Sequence, residues 1–237
     1  MKALDVLRRI AILAVVAIVG AALVQCSAPP PPTPAPHPSA PHPSAPPPPP
    51  PPAAATFSPV TAADLGASWR PGCPVEPEQL RRVQIDYIGF DGQTHRGELI
   101  VHGDRVAEVI AIFGQLRQLR YPIAKMRTAD HYPGSDDELS MEDNDTSAFN
   151  CRDIPGTGQW SQHAYGRAID VNPLLNPYID STGAFQPKNS APYLDRSRTD
   201  PGLLRDGDPV VRVFTDRGWR WGGHWRTPKD YQHFERP

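Results

Sequence analysis

The foldable part of this chain is predicted to be an α+β domain, with a mainly antiparallel sheet, flanking helices and long loops. Two observations carry that prediction. Apolar residues spaced two apart and apolar residues at helical spacing occur in separate groups along the sequence. They do not alternate in the way a parallel βαβ sheet requires. Polar stretches too long for tight turns separate the groups in the second half, and loops of that length in a compact domain usually have a function. Of 237 residues 31 are Pro, and most of these precede Val60. The formal net charge is -2 with no dense Lys/Arg cluster, so no nucleic-acid partner is expected.

Residues 1–26 read as an export signal. Lys2, Arg8 and Arg9 make a basic start, and Ile10–Val24 is a continuous apolar run. The run is shorter than the ~20 residues of a membrane-spanning helix and suits a signal-peptide core. It leads into Leu23-Val24-Gln25-Cys26, which resembles the bacterial lipoprotein signal with Cys26 as the lipidation site, although Gln25 stands where a small residue is usual. Lipidation, an uncleaved anchor and ordinary secretory cleavage stay open, so the membrane partner is either a lipid or the N-terminal segment itself.

Residues 27–56 form a Pro-rich linker that includes seven consecutive prolines, Pro46–Pro52. Such a chain extends at ~3.1 Å per residue and acts as a stiff tether, and His37 and His42 within it are composition rather than ligands. The folded domain is expected over 57–237, exported to the bacterial cell envelope, tethered, facing the wall and monomeric. Setting Cys26 aside leaves Cys73 and Cys151. An even pair in an oxidising compartment predicts a disulfide, with two buried free thiols as the alternative.

Along the domain, Pro77–Arg82 is expected to be a short helix. Val83–Ile88 alternates as a strand, 89–92 is a turn, and Arg96–Val101 is its hairpin partner. Asp104 is expected to cap a helix carrying Val106, Val109, Ile110, Phe113 and Leu116, which ends before Pro122. Ile123–Arg127 reads as a strand, and Thr128–Asn150 and Asn172–Asp208 as long loops. Ala168–Val171 is a strand, Val210–Gly218 a short helix closed by glycine, Trp219–Trp225 a strand and turn, and Tyr231–Glu235 a last strand.

The chemistry concentrates in Ser161–Asp170 and Asp230–His233. His163, Asp170 and His233 supply two imidazoles and a carboxylate, the kind of ligand set that catalytic Zn²⁺ accepts while leaving a fourth position to water. Gly166 permits a tight bend between His163 and the Asp170 strand, so both side chains can face one point, with His233 arriving on the antiparallel neighbour. Asp230 then remains free to act as a base on the water.

Ser161-Gln-His163-Ala-Tyr-Gly166-Arg-Ala168-Ile-Asp170, with Trp221-Gly-Gly-His-Trp225 and Lys229-Asp230-Tyr-Gln-His233-Phe-Glu235, resembles the VanY-type family of zinc peptidases. That family includes D-alanyl-D-alanine carboxypeptidases and L-alanyl-D-glutamate endopeptidases that cut peptidoglycan stem peptides. The resemblance implies one Zn²⁺ per domain on His163, Asp170 and His233, with Asp230 as general base. It also implies an upstream arginine at the oxyanion, for which Arg127 is best placed and Arg152 and Arg167 compete. Substrate contacts are expected from Ser161, from Phe149 and Asn150 in a groove wall, and from His224, for which an exposed loop residue is the favoured alternative. The rival readings are a tethered peptidoglycan-binding protein that keeps the zinc fold without cutting, and hydrolysis of a different amide.

Overall fold

The computed structural model describes residues 54–237. The export signal, Cys26 and nearly all of the Pro-rich linker lie outside the described residues. Among the described residues no helix is long and apolar enough to cross a membrane.

Strand β1 (Thr56–Pro59) leads into the one-turn helix α1 (Ala62–Leu65), where Thr61 and Asp64 form a reciprocal capping box. Pro77–Gln79 is a 3₁₀ turn. The chain is already extended at Leu80, because residues 80–82 are claimed by pairing with β3 and residues 81 and 82 by β1 as well: Arg81 lies opposite Pro59 and Val101. The helix expected over Pro77–Arg82 is therefore only a turn before β2 (Leu80–Ile88). β2 runs antiparallel to β3 (Thr94–His102), with Val83 opposite Leu99 and Ile88 opposite Thr94.

Val83, Ile85, Leu99 and Val101 face helix α2 (Val106–Gln118), which buries Val106, Val109, Ile112, Phe113 and Leu116 against them. Asp104 does not cap that helix. A 3₁₀ turn over Gly103–Arg105 intervenes, and the Asp104 carboxylate accepts hydrogen bonds from Arg167 at 2.6 Å and from His102 at 2.7 Å. A second apolar cluster behind the hairpin joins Leu65, Leu80, Ile100 and Phe149.

The stretch expected to be a structureless loop, Thr128–Asn150, is partly ordered. β4 (Lys125–Met126) pairs in parallel with β5 (Asp145–Thr146), and helix α3 (Asp137–Glu142) lies between them. Asp136 caps α3, its carboxylate accepting from the Leu139 N–H at 3.1 Å. β6 (Asp153–Ile154) and β7 (Gln159–Trp160) form a small hairpin before β8 (Ala168–Asp170). The 172–208 stretch likewise contains β9 (Tyr178–Ile179) and β10 (Phe185–Gln186). Helix α4 (Pro209–Thr215) and strands β11 (Arg220–Trp221), β12 (Lys229–Asp230) and β13 (His233–Glu235) complete the domain. The sheets are antiparallel apart from β4–β5, as the α+β reading expects.

The sheet that positions the chemistry is β11–β13–β8. Ile169 and Phe234 lie opposite each other and point into the core, where Phe234 stacks on Phe214 with ring centroids 3.9 Å apart. Successive strand side chains alternate in direction. Asp170 and His233, the next cross-strand pair, must therefore project together from the opposite face.

Cys73 and Cys151 form a disulfide with their Cα atoms 5.9 Å apart, closing a sequence separation of 78. It ties the N-terminal loop to the segment that passes behind His163. Reduction is expected to lower unfolding stability by about 2–4 kcal/mol, read as a shift in denaturant midpoint, because the cross-link restricts the unfolded chain. An unchanged midpoint would show that the bond restrains nothing in solution.

Candidate active site

His163 sits in a 3₁₀ turn, Gln162–Tyr165, begun by Ser161, whose hydroxyl oxygen accepts from the His163 N–H at 3.3 Å. Gly166 closes the turn at φ 64, and a Cβ there would come within 2.6 Å of the His102 nitrogen. Glycine is needed on both counts. The His163 Nδ1–H donates to the Ala148 carbonyl, which can only accept, so the lone pair is left on Nε2. Ala148 is held in place because neighbouring Ser147 exchanges backbone hydrogen bonds with Asp170.

The three predicted ligand side chains are buried and converge. His163 Nε2 lies 3.0 Å from Asp170 Oδ2 and 3.2 Å from His233 Nδ1, and His233 Nδ1 lies 3.0 Å from Asp170 Oδ1. Together they could hold a metal ion. The donor set fits zinc on geometry as well as chemistry: at metal–nitrogen distances of ~2.0–2.1 Å, tetrahedral ligand atoms lie about 3.3 Å apart. The second nitrogen of His233 faces Glu235 Oε2 at 3.4 Å, and Arg220 lies 2.9 Å from the same carboxylate.

The electrostatics suit a cation. Burial alone would lower the basicity of His233, but hydrogen bonds to Asp170 and Glu235 outweigh it and push the imidazole up to about 10. Asp170 is held far below the ordinary carboxylate range: burial works against this, and the His163 and His233 rings more than compensate. Without a metal, a proton on His233 answers the surrounding negative charge.

Asp230 comes from β12, in a different sheet, where it pairs with Tyr178 of β9. Gly222 makes this approach feasible, since a Cβ there would lie 2.5 Å from the Asp230 carbonyl oxygen. Asp230 Oδ1 is buried and has no hydrogen-bond partner among the described residues. Burial pushes its carboxyl up to about 7. His233 and Arg152 pull the other way, and Asp170 and Asp137 add to the rise.

The remaining predicted residues divide. Arg127 does not reach the cluster: its guanidinium meets His131 at 2.9 Å and Asp143 at 3.6 Å. Arg152 is the cation at the cluster, 3.0 Å from Asp137 and 4.0 Å from Asp170 Oδ2, while Arg167 is paired with Asp104. Phe149 is 2% exposed inside the second apolar cluster, so it lines no groove. The Asn150 side chain is committed to the Ser135 carbonyl at 3.0 Å, and Ser161 is a buried turn cap. His224 is exposed and pairs with Asp206 at 2.8 Å. Trp225 does border the site, its ring centroid 5.4 Å from that of His233.

Sequence reasoning gave Glu235 no role, although a strand places residues two apart on one face, and His233 was already identified. No sequence signal marked the Ala148 carbonyl.

An antiparallel α+β domain that presents a buried His–Asp–His cluster beside an unpartnered carboxyl has the layout of a metallopeptidase. Residues 155–236 match the family model described as D-alanyl-D-alanine carboxypeptidase, a span that holds His163, Asp170, Asp230 and His233 but neither Arg127 nor Arg152. Over that span the chain is similar to the VanY-type D-alanyl-D-alanine carboxypeptidases, a match that supports a hydrolytic peptidase. Comparison with curated proteins and with solved structures gives no match.

Proposed function

We propose that this protein is a zinc peptidase that hydrolyses peptidoglycan stem peptides, as a D,D-carboxypeptidase or an L,D-endopeptidase. The convergence of His163 Nε2, Asp170 and His233 Nδ1 on one face of the β8–β13 pair carries the proposal. The chemistry a bound zinc ion supplies is Lewis acidity, which brings water ionisation down towards pH ~7 and polarises the scissile carbonyl. Asp230 removes the proton of the attacking water and delivers it to the leaving amine. Arg152 takes the place expected of Arg127, setting a guanidinium beside the cluster where oxyanion charge develops. The Ala148 carbonyl and Glu235 fix the two imidazoles through the nitrogens that do not bind metal. The export features of residues 1–26 and the disulfide support a site of action in the oxidising cell envelope, with the domain tethered and facing the wall.

Glu235→Gln is expected to weaken zinc binding about 10–100-fold, the usual cost of losing such a supporting carboxylate, while the fold persists. Competition against a chromophoric chelator reads this directly, and unchanged affinity would remove Glu235 from the site.

The function is tested by digesting purified peptidoglycan and defined muropeptides with the full chain, before and after chelation and zinc rescue, and reading products by mass spectrometry. Loss of terminal D-Ala makes the enzyme a carboxypeptidase, and a cut after L-Ala makes it an endopeptidase. If the zinc-loaded protein cleaves no stem peptide, the proposal fails and the tethered binding protein takes its place.

A further inference from the structure

The side chains flanking His163 line a second groove, about 690 Å³ in volume and distinct from the ligand cluster. Gln79, Gln159, Trp160, Gln162, Tyr165 and Arg167 form much of its wall. Its size lies within the ~300–1,000 Å³ of small-molecule sites. Among the described residues the side chains of Gln159, Gln162 and Tyr165 make no hydrogen bond, so three polar groups face the groove uncommitted.

The lining selects a class of ligand by elimination. No Asp or Glu lines the groove, which disfavours a cation. The Arg167 charge is already answered by Asp104 at 2.6 Å, which disfavours an anion. A purely apolar ligand would bury the free amides without partners, at a cost. What remains is a neutral, ring-shaped molecule rich in hydrogen-bonding groups. Trp160, with the Arg70 guanidinium carbon 5.6 Å from its ring centroid, and Tyr165 both pack partly against the second apolar cluster, and their remaining apolar surface in the groove can meet the C–H side of a sugar. A glutamine amide both donates and accepts, which matches the N–H and C=O of an acetamido group.

We propose that this groove is a saccharide site that takes an N-acetylated amino-sugar strand, the part of the substrate to which the stem peptide is attached. The identity of that strand rests on the peptidoglycan reading above. The chemistry of the groove does not. The turn Gln162–Tyr165 contributes two of the groove's residues and also carries His163. A sugar held there is therefore registered against the ligand cluster by a single turn of chain.

The test is titration calorimetry of the chelator-treated full chain with the tetramer of N-acetylglucosamine, with the glucose tetramer lacking acetamido groups as comparison. Saturable binding of the acetylated sugar is expected, with weaker binding of the comparison sugar. Gln159→Ala combined with Gln162→Ala should weaken it about tenfold, the loss expected from removing hydrogen-bond partners. Gln159 is exposed, Gln162 is half-buried and neither side-chain amide is hydrogen-bonded, so the fold should hold; Tyr165→Ala is the second variant, and His224→Ala, which lies outside the groove, should bind as the parent does.

Absence of binding by the parent chain, or equal binding by the parent and both groove variants, overturns the proposal. Displacement of the sugar by a glycan-free stem peptide assigns the groove to peptide and also overturns it. The measurement uses metal-free protein and needs no turnover. Sugar binding without cleavage of any stem peptide would therefore refute the peptidase reading alone, and cleavage without sugar binding would refute this one alone.

Discussion

Asp230→Ala is expected to lower turnover by about 10²–10⁴-fold, the usual contribution of a positioned acid–base group, while zinc content stays at that of the parent. The separation follows from the structure. Asp230 is held by β12 and Gly222, and the three ligand side chains by β8, β13 and the Gln162–Tyr165 turn. Removing the Asp230 carboxyl therefore deletes a proton acceptor without disturbing the ligands. Parallel measurements of kcat and of metal content by mass spectrometry decide it. Full activity in the variant would show that Asp230 is not the base, and loss of zinc would show that it is a ligand.

The same carboxyl sets a pH signature. Its pKa in the folded, metal-free protein is raised from 3.8 to about 7, chiefly by burial. A base works only when ionised, so activity should rise with pH along a limb that Asp230 governs. Stability runs the other way. The folded protein holds this proton more tightly than the unfolded chain, so the group's favourable contribution is complete below pH 3.8 and is lost as pH rises through about 7. Asp230→Asn should therefore raise the Tm of the metal-free protein at pH 8 and leave it nearly unchanged at pH 4. An equal shift at both values would trace the effect to packing. An unpartnered carboxyl in a partly buried position is a local cost to folding, which the proposed role of Asp230 as base would explain.

The parts of this site legible in the sequence are those fixed by local geometry. His163, Asp170 and His233 could be read because a glycine bend and a strand's two-residue alternation leave few ways to arrange them. The hairpin and α2 were legible from apolar period for the same reason. The parts that failed depend on contacts between distant segments. Arg127 follows a strand and looked well placed, but its guanidinium is taken up by His131 and Asp143, while Arg152 is carried in beside the Cys73–Cys151 bridge. Phe149 sits in a segment that does border His163, but Leu80 and Ile100 behind the hairpin bury its ring, and a single apolar letter does not say which side it faces. The order within 128–150 was missed because α3 has six residues and β5 two, too few for any period to show. Such short elements are held by caps and by neighbours rather than by their own pattern.

His233→Ala should abolish both zinc binding and activity, and its effect should be larger than that of any other substitution considered. In the proposed site His233 would supply a ligand atom, its Nδ1 lying 3.0–3.2 Å from the other two donors, and it lies directly across the sheet from Asp170. Removing it leaves only His163 and Asp170 to hold the metal, and it also leaves Asp170 buried with one imidazole fewer to compensate its charge. The competing proton makes the binding pH-dependent in a defined direction. In the metal-free protein the His233 imidazole is raised from 6.5 to about 10, so its stabilising protonated pairing is complete below pH 6.5 and is lost as pH passes about 10. A ligand nitrogen must shed that proton to bind metal, so apparent zinc affinity should climb with pH across the interval, with proton release measurable by calorimetry in buffers of different ionisation enthalpy. Zinc affinity flat across that range, with no proton released, would mean that the ion binds elsewhere. Affinity that rises as expected in the parent and vanishes in the variant would locate the ion between β8 and β13, at the point where strand alternation alone brings Asp170 and His233 together.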